Sequence, residues 1–537
     1  MGLPTLFDAH GTSLHAATLV VLLIAVAAMA VAPIAWLLVR SKSSHRYLTQ
    51  VPAGTRPIRQ LPWTLPLIGN TIELLRNALR LHDWTYECCK DLNGEPLLVT
   101  SLGRPDLLVL TTVEAFEECF KNKFDNFPKG EFLTGSLRDV LGHGIFGVDH
   151  AQWAHQRKTA SHLFTARTIR ESMTETVRRH VLTLHEILAR AAQANQTVDL
   201  FKLMNRFTIE AFSEIGFGIR MNCLDAKEEH PFQTAFDSAQ RVLALRLVRP
   251  RWFWKLQRAI GVGHEGQLKR DRKAIDDTVY SIIAKSLERR QRNERLDNKD
   301  IVSLFLDNFE NLAENDGQQF DPTYLRDIVI NFLIAGRDTT AQALSWFFRA
   351  VTEHPEVVHK IRAEIAEVLP ELLTSPTPIA PTLEEVQQLT YLEAALKETL
   401  RLYPSVPFNY KYAEDDVVLS DGTFVRKGWY VGLSTYVLGR MEHVWGPDAC
   451  EFKPERWIDE HTGKLIQVSP FKFMAFNAGP RMCLGVNLAM MEMKIVVASL
   501  VSKLDLSVVD PEHVMYDYSL TFPVQGEMPV RIAMHKS

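Results

Sequence analysis

The run Phe476-Asn477-Ala478-Gly479-Pro480-Arg481-Met482-Cys483-Leu484-Gly485 constrains this chain more than any other stretch. It sets one cysteine in a glycine- and proline-bounded turn ahead of an apolar segment, Val486 to Leu500, that has neither proline nor glycine. The spacing of Val486, Leu488, Ala489, Met491, Ile495, Val496 and Leu500 predicts a helix packed on one broad face. Cys483 then stands just before a helix N-terminus, where unpaired backbone N–H groups and the positive end of the dipole lower a thiol's pKa and favour thiolate. Gly479 and Gly485 allow a tight turn and close approach to a flat partner, Phe476 offers an aromatic wall, and Arg481 a cation two residues before the sulfur. A lone cysteine in a Gly-Pro turn is ordinarily a core residue; with these neighbours the run describes a loop that presents thiolate to haem iron.

Length sets the next bound. The 537 residues show no Gly/Ser linker, low-complexity tract or internal repeat beyond residue 70, which predicts one large domain. A hydrophobic share of 46% and a charged share of 23% suit a globule with a large core, and a net charge of −4 argues against nucleic acid as a partner. Six cysteines without a C-x-x-C pair or zinc spacing indicate a reduced compartment and no disulfide framework.

Residues 16–39 carry no charge and are rich in Ala, Val, Leu and Ile, enough to cross the roughly 30 Å hydrocarbon layer as one helix. No Lys or Arg precedes the run, while Arg40, Lys42 and Arg46 follow it, so residues 1–15 are expected in the lumen and the rest in the cytosol. The run's length, its lack of a basic start and its basic flank argue against a cleaved signal peptide. Pro52, Pro57, Pro62 and Pro66 predict a stiff connector over 40–70, ahead of a catalytic domain at 71–537. Short apolar runs at 96–100 and 106–110, bounded by Gly94 and Gly103, predict strands of a small sheet. A hairpin is predicted within 411–437, around Ser420-Asp421-Gly422-Thr423. Arg246 to Arg258 interleaves five basic residues with Trp252, Phe253 and Trp254, a composition suited to the headgroup boundary of a membrane.

Three further constellations carry chemistry. Trp153 and Arg157 stand one helical turn apart, so an indole N–H and a guanidinium can reach one side of a flat anion such as a haem propionate. Asp321-Pro322 starts a helix that continues to His354, about 50 Å at 1.5 Å per residue. Its middle, Ala335-Gly336-Arg337-Asp338-Thr339-Thr340, predicts a local bulge or groove, since these residues propagate helix poorly. Oxygen activation needs room over the iron and a proton route, which a small residue, a carboxylate and a hydroxyl supply. Glu398 and Arg401 lie three apart on one helix face before the stop at Pro404, with Pro454-Glu455-Arg456-Trp457 downstream.

These motifs, in this order, resemble those of the cytochromes P-450. The resemblance covers essentially the whole chain after residue 40, and the cysteine signature and Ala-Gly-Arg-Asp-Thr-Thr match throughout. It implies a mainly α fold with a smaller β-sheet subdomain, preceded by one transmembrane helix, and haem b (iron protoporphyrin IX) held by Cys483 as axial ligand. Trp153, Arg157, Arg481, Phe476, Gly479 and Gly485 are implied around the cofactor, and Asp338 and Thr339 in proton delivery. Glu398, Arg401 and Arg456 are implied as a structural triad, and the 411–437 region as part of the substrate pocket. The implied activity is insertion of one oxygen atom from O2 into a C–H bond, with electrons from NADPH through a separate membrane-bound flavoprotein reductase. The implied location is the endoplasmic reticulum membrane, single-pass. Arg337 in its motif, the 477–485 run, and Gly142-x-Gly144-Ile145-Phe146 with Trp153 resemble the fatty-acid and alkane omega-hydroxylase branch. That implies long-chain fatty acids hydroxylated at or near the terminal carbon. A sterol, alkane or xenobiotic hydroxylase, and a haem-thiolate isomerase or sensor, are the alternatives left open.

Overall fold

Asp321 and Pro322 start the longest helix as the sequence predicts: the Asp321 carboxylate accepts from the Thr323 N–H at 2.8 Å and Pro322 holds the first turn. The helix runs Pro322–Glu353 without a break, so of the bulge or groove expected at 335–340 the bulge is absent, while Ala335, Gly336, Thr339 and Thr340 border a cavity. Its weak propagators are supported from outside: the Thr208 hydroxyl donates to the Arg337 carbonyl at 2.8 Å and the Ser405 hydroxyl to the Thr339 carbonyl at 2.7 Å. Tertiary contacts override local propensity here.

The structure is a computed structural model describing residues 51–535, apart from residues 227, 293–299 and 317–320. The luminal segment 1–15 and the 16–39 anchor therefore lie outside the described residues. Among the described residues, no helix is long and apolar enough to cross a membrane.

The central helix packs along Leu200–Phe217, which Asp199 caps by accepting from the Lys202 N–H and Gly218 ends at φ +64°. Close packing depends on Gly336, where a Cβ would sit 2.1 Å from the Phe212 ring. Helices Pro231–Val248 and Gly263–Gln291 pair beside it, while Thr390–Leu402 and Val486–Val501 close the opposite side. The Val486–Val501 segment, predicted from its apolar spacing, is buried almost all round in its second half.

Among the described residues, ten short strands form three sheets: β1 Arg59–Gln60, β2 Leu97–Val99, β3 Leu107–Leu110, β4 Val198–Asp199, β5 Phe408–Tyr412, β6 Val417–Val418, β7 Phe424–Val425, β8 Tyr430–Ser434, β9 Leu504–Val508 and β10 Pro529–Met534. The largest has the order β1-β2-β3-β8-β5, with β1 parallel to β2 and β3 parallel to β8. The predicted strands at 96–100 and 106–110 are β2 and β3, paired antiparallel. The predicted turn at 420–423 joins β6 to β7.

The connector differs from its expectation. Arg59 and Gln60 pair with Leu97 and Leu98, and Leu61 is buried, so the globule starts inside the proline-rich stretch. Pro57 and Pro62 flank this edge strand without removing a ladder bond, the placement a sheet tolerates.

The basic-aromatic segment divides. Arg246 closes its helix inward, 2.5 Å from Glu265 and stacked 4.5 Å over Trp254, and both side chains are buried. Trp252, Phe253, Leu256 and Ile260, on the following helix Arg251–Ile260, are exposed. Trp252 lies against Gly103, and the neighbouring Leu102 N–H donates to the Thr71 hydroxyl at 2.8 Å. The exposed apolar side chains Ile72, Leu75 and Leu79 follow Thr71, so one apolar face extends across both segments.

Candidate active site

Cys483 sits where the sequence puts it, three residues before the helix Val486–Val501. Its backbone N–H donates to the Phe476 carbonyl at 2.8 Å, closing the loop, and the Gly485 N–H donates to its sulfur at 3.3 Å. Gly479, at φ +64°, is indispensable, because a Cβ there would fall 2.2 Å from the Phe120 carbonyl. Gly485 has only ordinary contacts, with the Phe164 ring and the Cys483 sulfur, and leaves space open toward the cavity. Burial pushes the thiol's pKa up, while the Gly485 N–H and the Arg157 guanidinium pull it down.

The sulfur opens into a cavity of about 380 Å³. Phe476, Leu484 and Ala489 line it near the cysteine, and Ala335, Gly336 and Thr339 line it from the central helix. Ile145 and Phe146 also line it; the Phe146 N–H donates to the Asn331 side-chain Oδ1 at 2.9 Å, tying that loop to the central helix. The Thr339 hydroxyl donates back to the Ala335 carbonyl at 2.8 Å.

Trp153, Arg157 and Arg481 meet on one wall: the Arg481 guanidinium lies 4.4 Å from the Trp153 ring and that of Arg157 5.8 Å. Lys129 and Lys411, which the sequence reading missed, join them. Burial, with Arg481 alongside, pushes the Lys411 ammonium down to about 7, and that of Lys129 well below its usual range. The carboxylate that pairs with Arg481 is Asp149, which also accepts from the Lys129 backbone N–H at 3.0 Å. The Arg481 Nε and the Lys411 Nζ are buried without acceptors. Four basic groups facing one carboxylate form a wall with unmatched positive charge.

Asp338 is the residue the structure moves. It is absent from the cavity lining and points behind the central helix, 2.8 Å from Arg337, accepting from the Gln240 amide at 2.7 Å. Burial pushes its carboxyl up, against Arg337. Arg337 also reaches Asp237 at 2.6 Å, a side chain half exposed to solvent. Another acid lines the cavity instead: Glu492, fully enclosed beside the Thr340 hydroxyl, whose carboxyl burial raises to about 8. Nothing in its spacing distinguishes it from a helix surface glutamate.

Glu398, Arg401 and Arg456 assemble away from the cavity. The Glu398 carboxylate accepts from Arg401 at 2.7 and 2.8 Å, from the Trp457 indole at 2.8 Å, from the Lys453 N–H at 2.9 Å and from Arg456 at 3.3 Å. Arg401 in turn donates to the carbonyls of Gly439, Ala449 and Glu451. This network pins the segment that leads to the cysteine loop.

The family profile described as Cytochrome P450 matches residues 60–524. This chain belongs to the cytochrome P450 family. It is 37% identical over 487 residues to cytochrome P450 CYP94D108 of Paris polyphylla, an alignment covering 89% of this chain and 93% of that one. Cytochrome P450 86B1 of Arabidopsis thaliana is 36% identical, with 78% and 75% covered, and cytochrome P450 94B1 of the same plant 34%, with 88% and 91% covered. Cytochromes P450 are monooxygenases that use haem with a cysteine thiolate ligand and take electrons from a reductase. The cavity fits that group. It presents one thiol, a largely apolar lining, and a wall whose unmatched positive charge suits a dianion such as the two propionates.

Proposed function

We propose that this cytochrome P450 hydroxylates long-chain fatty acids at or near the terminal carbon. The observation that carries the reading is the cavity, which is apolar between the cysteine and the central helix and closed by the Gly142–Phe146 loop of the omega-hydroxylase resemblance. Cys483 would hold haem through its sulfur, and Trp153, Arg157, Arg481, Lys129 and Lys411 would hold its propionates. When bound, the haem supplies reductive activation of O2 and transfer of one oxygen atom to a C–H bond. Thr339 lines the cavity, and Asp338 stands behind it at the inner end of the ion-pair chain Asp237–Arg337–Asp338, which ties the acid proposed for proton delivery to a half-exposed carboxylate.

Thr339→Ala should keep haem and substrate binding yet divert about 10- to 100-fold more of the consumed NADPH into hydrogen peroxide, the scale of losing one positioned proton donor. Measuring peroxide and hydroxylated product per NADPH checks it, and full coupling would refute the role. For the reaction itself, the protein is incubated with reductase, NADPH and mixed long-chain fatty acids. Terminal hydroxy acids are expected; haem-bound protein that forms no oxygenated fatty acid would overturn the reading.

The exposed apolar face of Trp252, Leu256, Ile260, Ile72, Leu75 and Leu79 is proposed to rest on the endoplasmic reticulum bilayer, with the 16–39 run as its single anchor and the catalytic domain, which begins near residue 59, on the cytosolic side. In protein lacking residues 1–50, replacing Trp252, Phe253 and Leu256 with Ser should weaken partition into phosphatidylcholine vesicles by about 10-fold or more, from roughly 1.5–3 kcal/mol per buried side chain. Trp254 is left intact because it packs inside under Arg246. Unchanged vesicle binding would discard this face.

A further inference from the structure

Phe522 is the hub of an aromatic cluster between the cavity and the surface. Its ring lies 4.7 Å from Tyr516, 5.3 Å from Trp346, 5.5 Å from Tyr436 and 5.8 Å from His82, and all these side chains are buried. Two rings reach inward: His82 lines the main cavity, and so does Tyr518, whose ring is 6.0 Å from it. The outward end is Tyr403, half-buried and stacked on Trp346 at 4.9 Å with the rings 4° from parallel. Ring contacts of 6.0 Å or less therefore run from the cavity wall to the surface through Tyr518, His82, Phe522, Trp346 and Tyr403. Leucine would fill a core as well. What tyrosine and tryptophan add is that they give up an electron far more readily than aliphatic side chains.

One tyrosine of the cluster is equipped to lose that electron. The Tyr436 hydroxyl donates to the Asp83 carboxylate at 2.5 Å, and the Arg440 guanidinium lies 3.6 Å from the centre of the same ring. A cation at that distance opposes a positively charged ring, so the electron can leave only together with the phenol proton. Burial pushes the phenol's pKa up, which keeps the proton on the oxygen until then. Asp83, partly exposed at the edge of the cluster, is an acceptor already in place. The Tyr436 ring is 5.8 Å from that of His82 on the cavity side, and shares Phe522 with Trp346 on the outer side.

We propose that Tyr436, with Asp83 as its proton acceptor, is an electron donor that quenches oxidising equivalents formed in the cavity when no C–H bond is in reach. One electron passes to the cavity while the phenol proton moves to Asp83, leaving a neutral tyrosyl radical and a protonated carboxyl. The electron is replaced through Trp346 and Tyr403 by a low-molecular-weight thiol at the surface, which releases its proton to water, and the Asp83 proton returns to the phenol. Two such passages, with two protons from water, reduce one activated oxygen atom to water and leave two thiols joined as a disulfide. The oxidant comes from the O2 activation common to the family, so the inference is independent of the substrate class.

The test mixes the haem-loaded full chain with peracetic acid, without substrate or reductase, and freezes it at successive times for electron paramagnetic resonance. Wild type should show a tyrosyl radical, recognised by narrowing of its signal when tyrosine is ring-deuterated. Tyr436→Phe keeps the ring, so it should retain haem and thermal midpoint yet lose most of the signal and bleach its haem faster. Asp83→Asn, which keeps the shape but cannot take the proton, should lose most of the signal too. Trp346→Phe should keep the radical in the presence of glutathione that erases it in wild type. A full signal and unchanged bleaching in Tyr436→Phe would reduce the cluster to packing and overturn the proposal, as would a wild type that bleaches without any tyrosyl radical. If Tyr436→Phe lost haem, Asp83→Asn would decide, an undiminished radical there sinking the proposal.

Discussion

Glu398→Ala should leave a protein that is destabilised by about 3–5 kcal/mol and retains little haem, since it removes one member of a buried ion network and strands the rest. The carboxylate is inaccessible to solvent and satisfies Arg401, Arg456, the Trp457 indole and the Lys453 N–H together. Without it, Arg401 keeps its contacts to three carbonyls but carries an uncompensated charge at 1% exposure. Urea unfolding and haem per polypeptide measure the effect. Glu398→Gln keeps acceptor and shape, so it should lose less; normal haem content and an unchanged midpoint in Glu398→Ala would count against a structural role.

Cys483→Ser is the complementary case, large in activity and small in stability. The side chain accepts one N–H bond, from Gly485, and otherwise faces the cavity, so the folded protein should stay within about 1 kcal/mol of wild type. Hydroxylation should fall by more than about 100-fold, because losing a direct metal ligand exceeds the usual effect of losing a residue that only supports one. Product formation per hour and thermal unfolding of the same preparation separate the two. Activity near wild type would remove Cys483 from the ligand role.

The contrast between these residues shows what a sequence discloses. Cys483, Gly479 and Arg481 were legible because a tight loop before a helix admits few residue types, and Glu398 with Arg401 because one helical turn joins them. Lys129 and Lys411 were not, since each is a lone lysine whose meaning comes from Asp149 and Arg481 brought beside it by folding. The acid of the oxygen motif was recognised, but its direction was not: Gln240, which holds Asp338 behind the helix, is 98 residues away. Composition found the aromatic-basic segment without telling its faces, because Arg246 and Trp254 turn inward only once Glu265 is in place. β1 was hidden for another reason, as two residues among prolines carry no period of their own.

The exposed apolar face joins two parts of the chain, since Gly103, in the turn between β2 and β3, lies against Pro250 and Trp252 at the start of the helix Arg251–Ile260. A surface assembled from both keeps its shape only while sheet and helix stay docked. In the orientation proposed above, a bilayer would act as a clamp across that joint, and detergent that strips the lipid would loosen the two parts together.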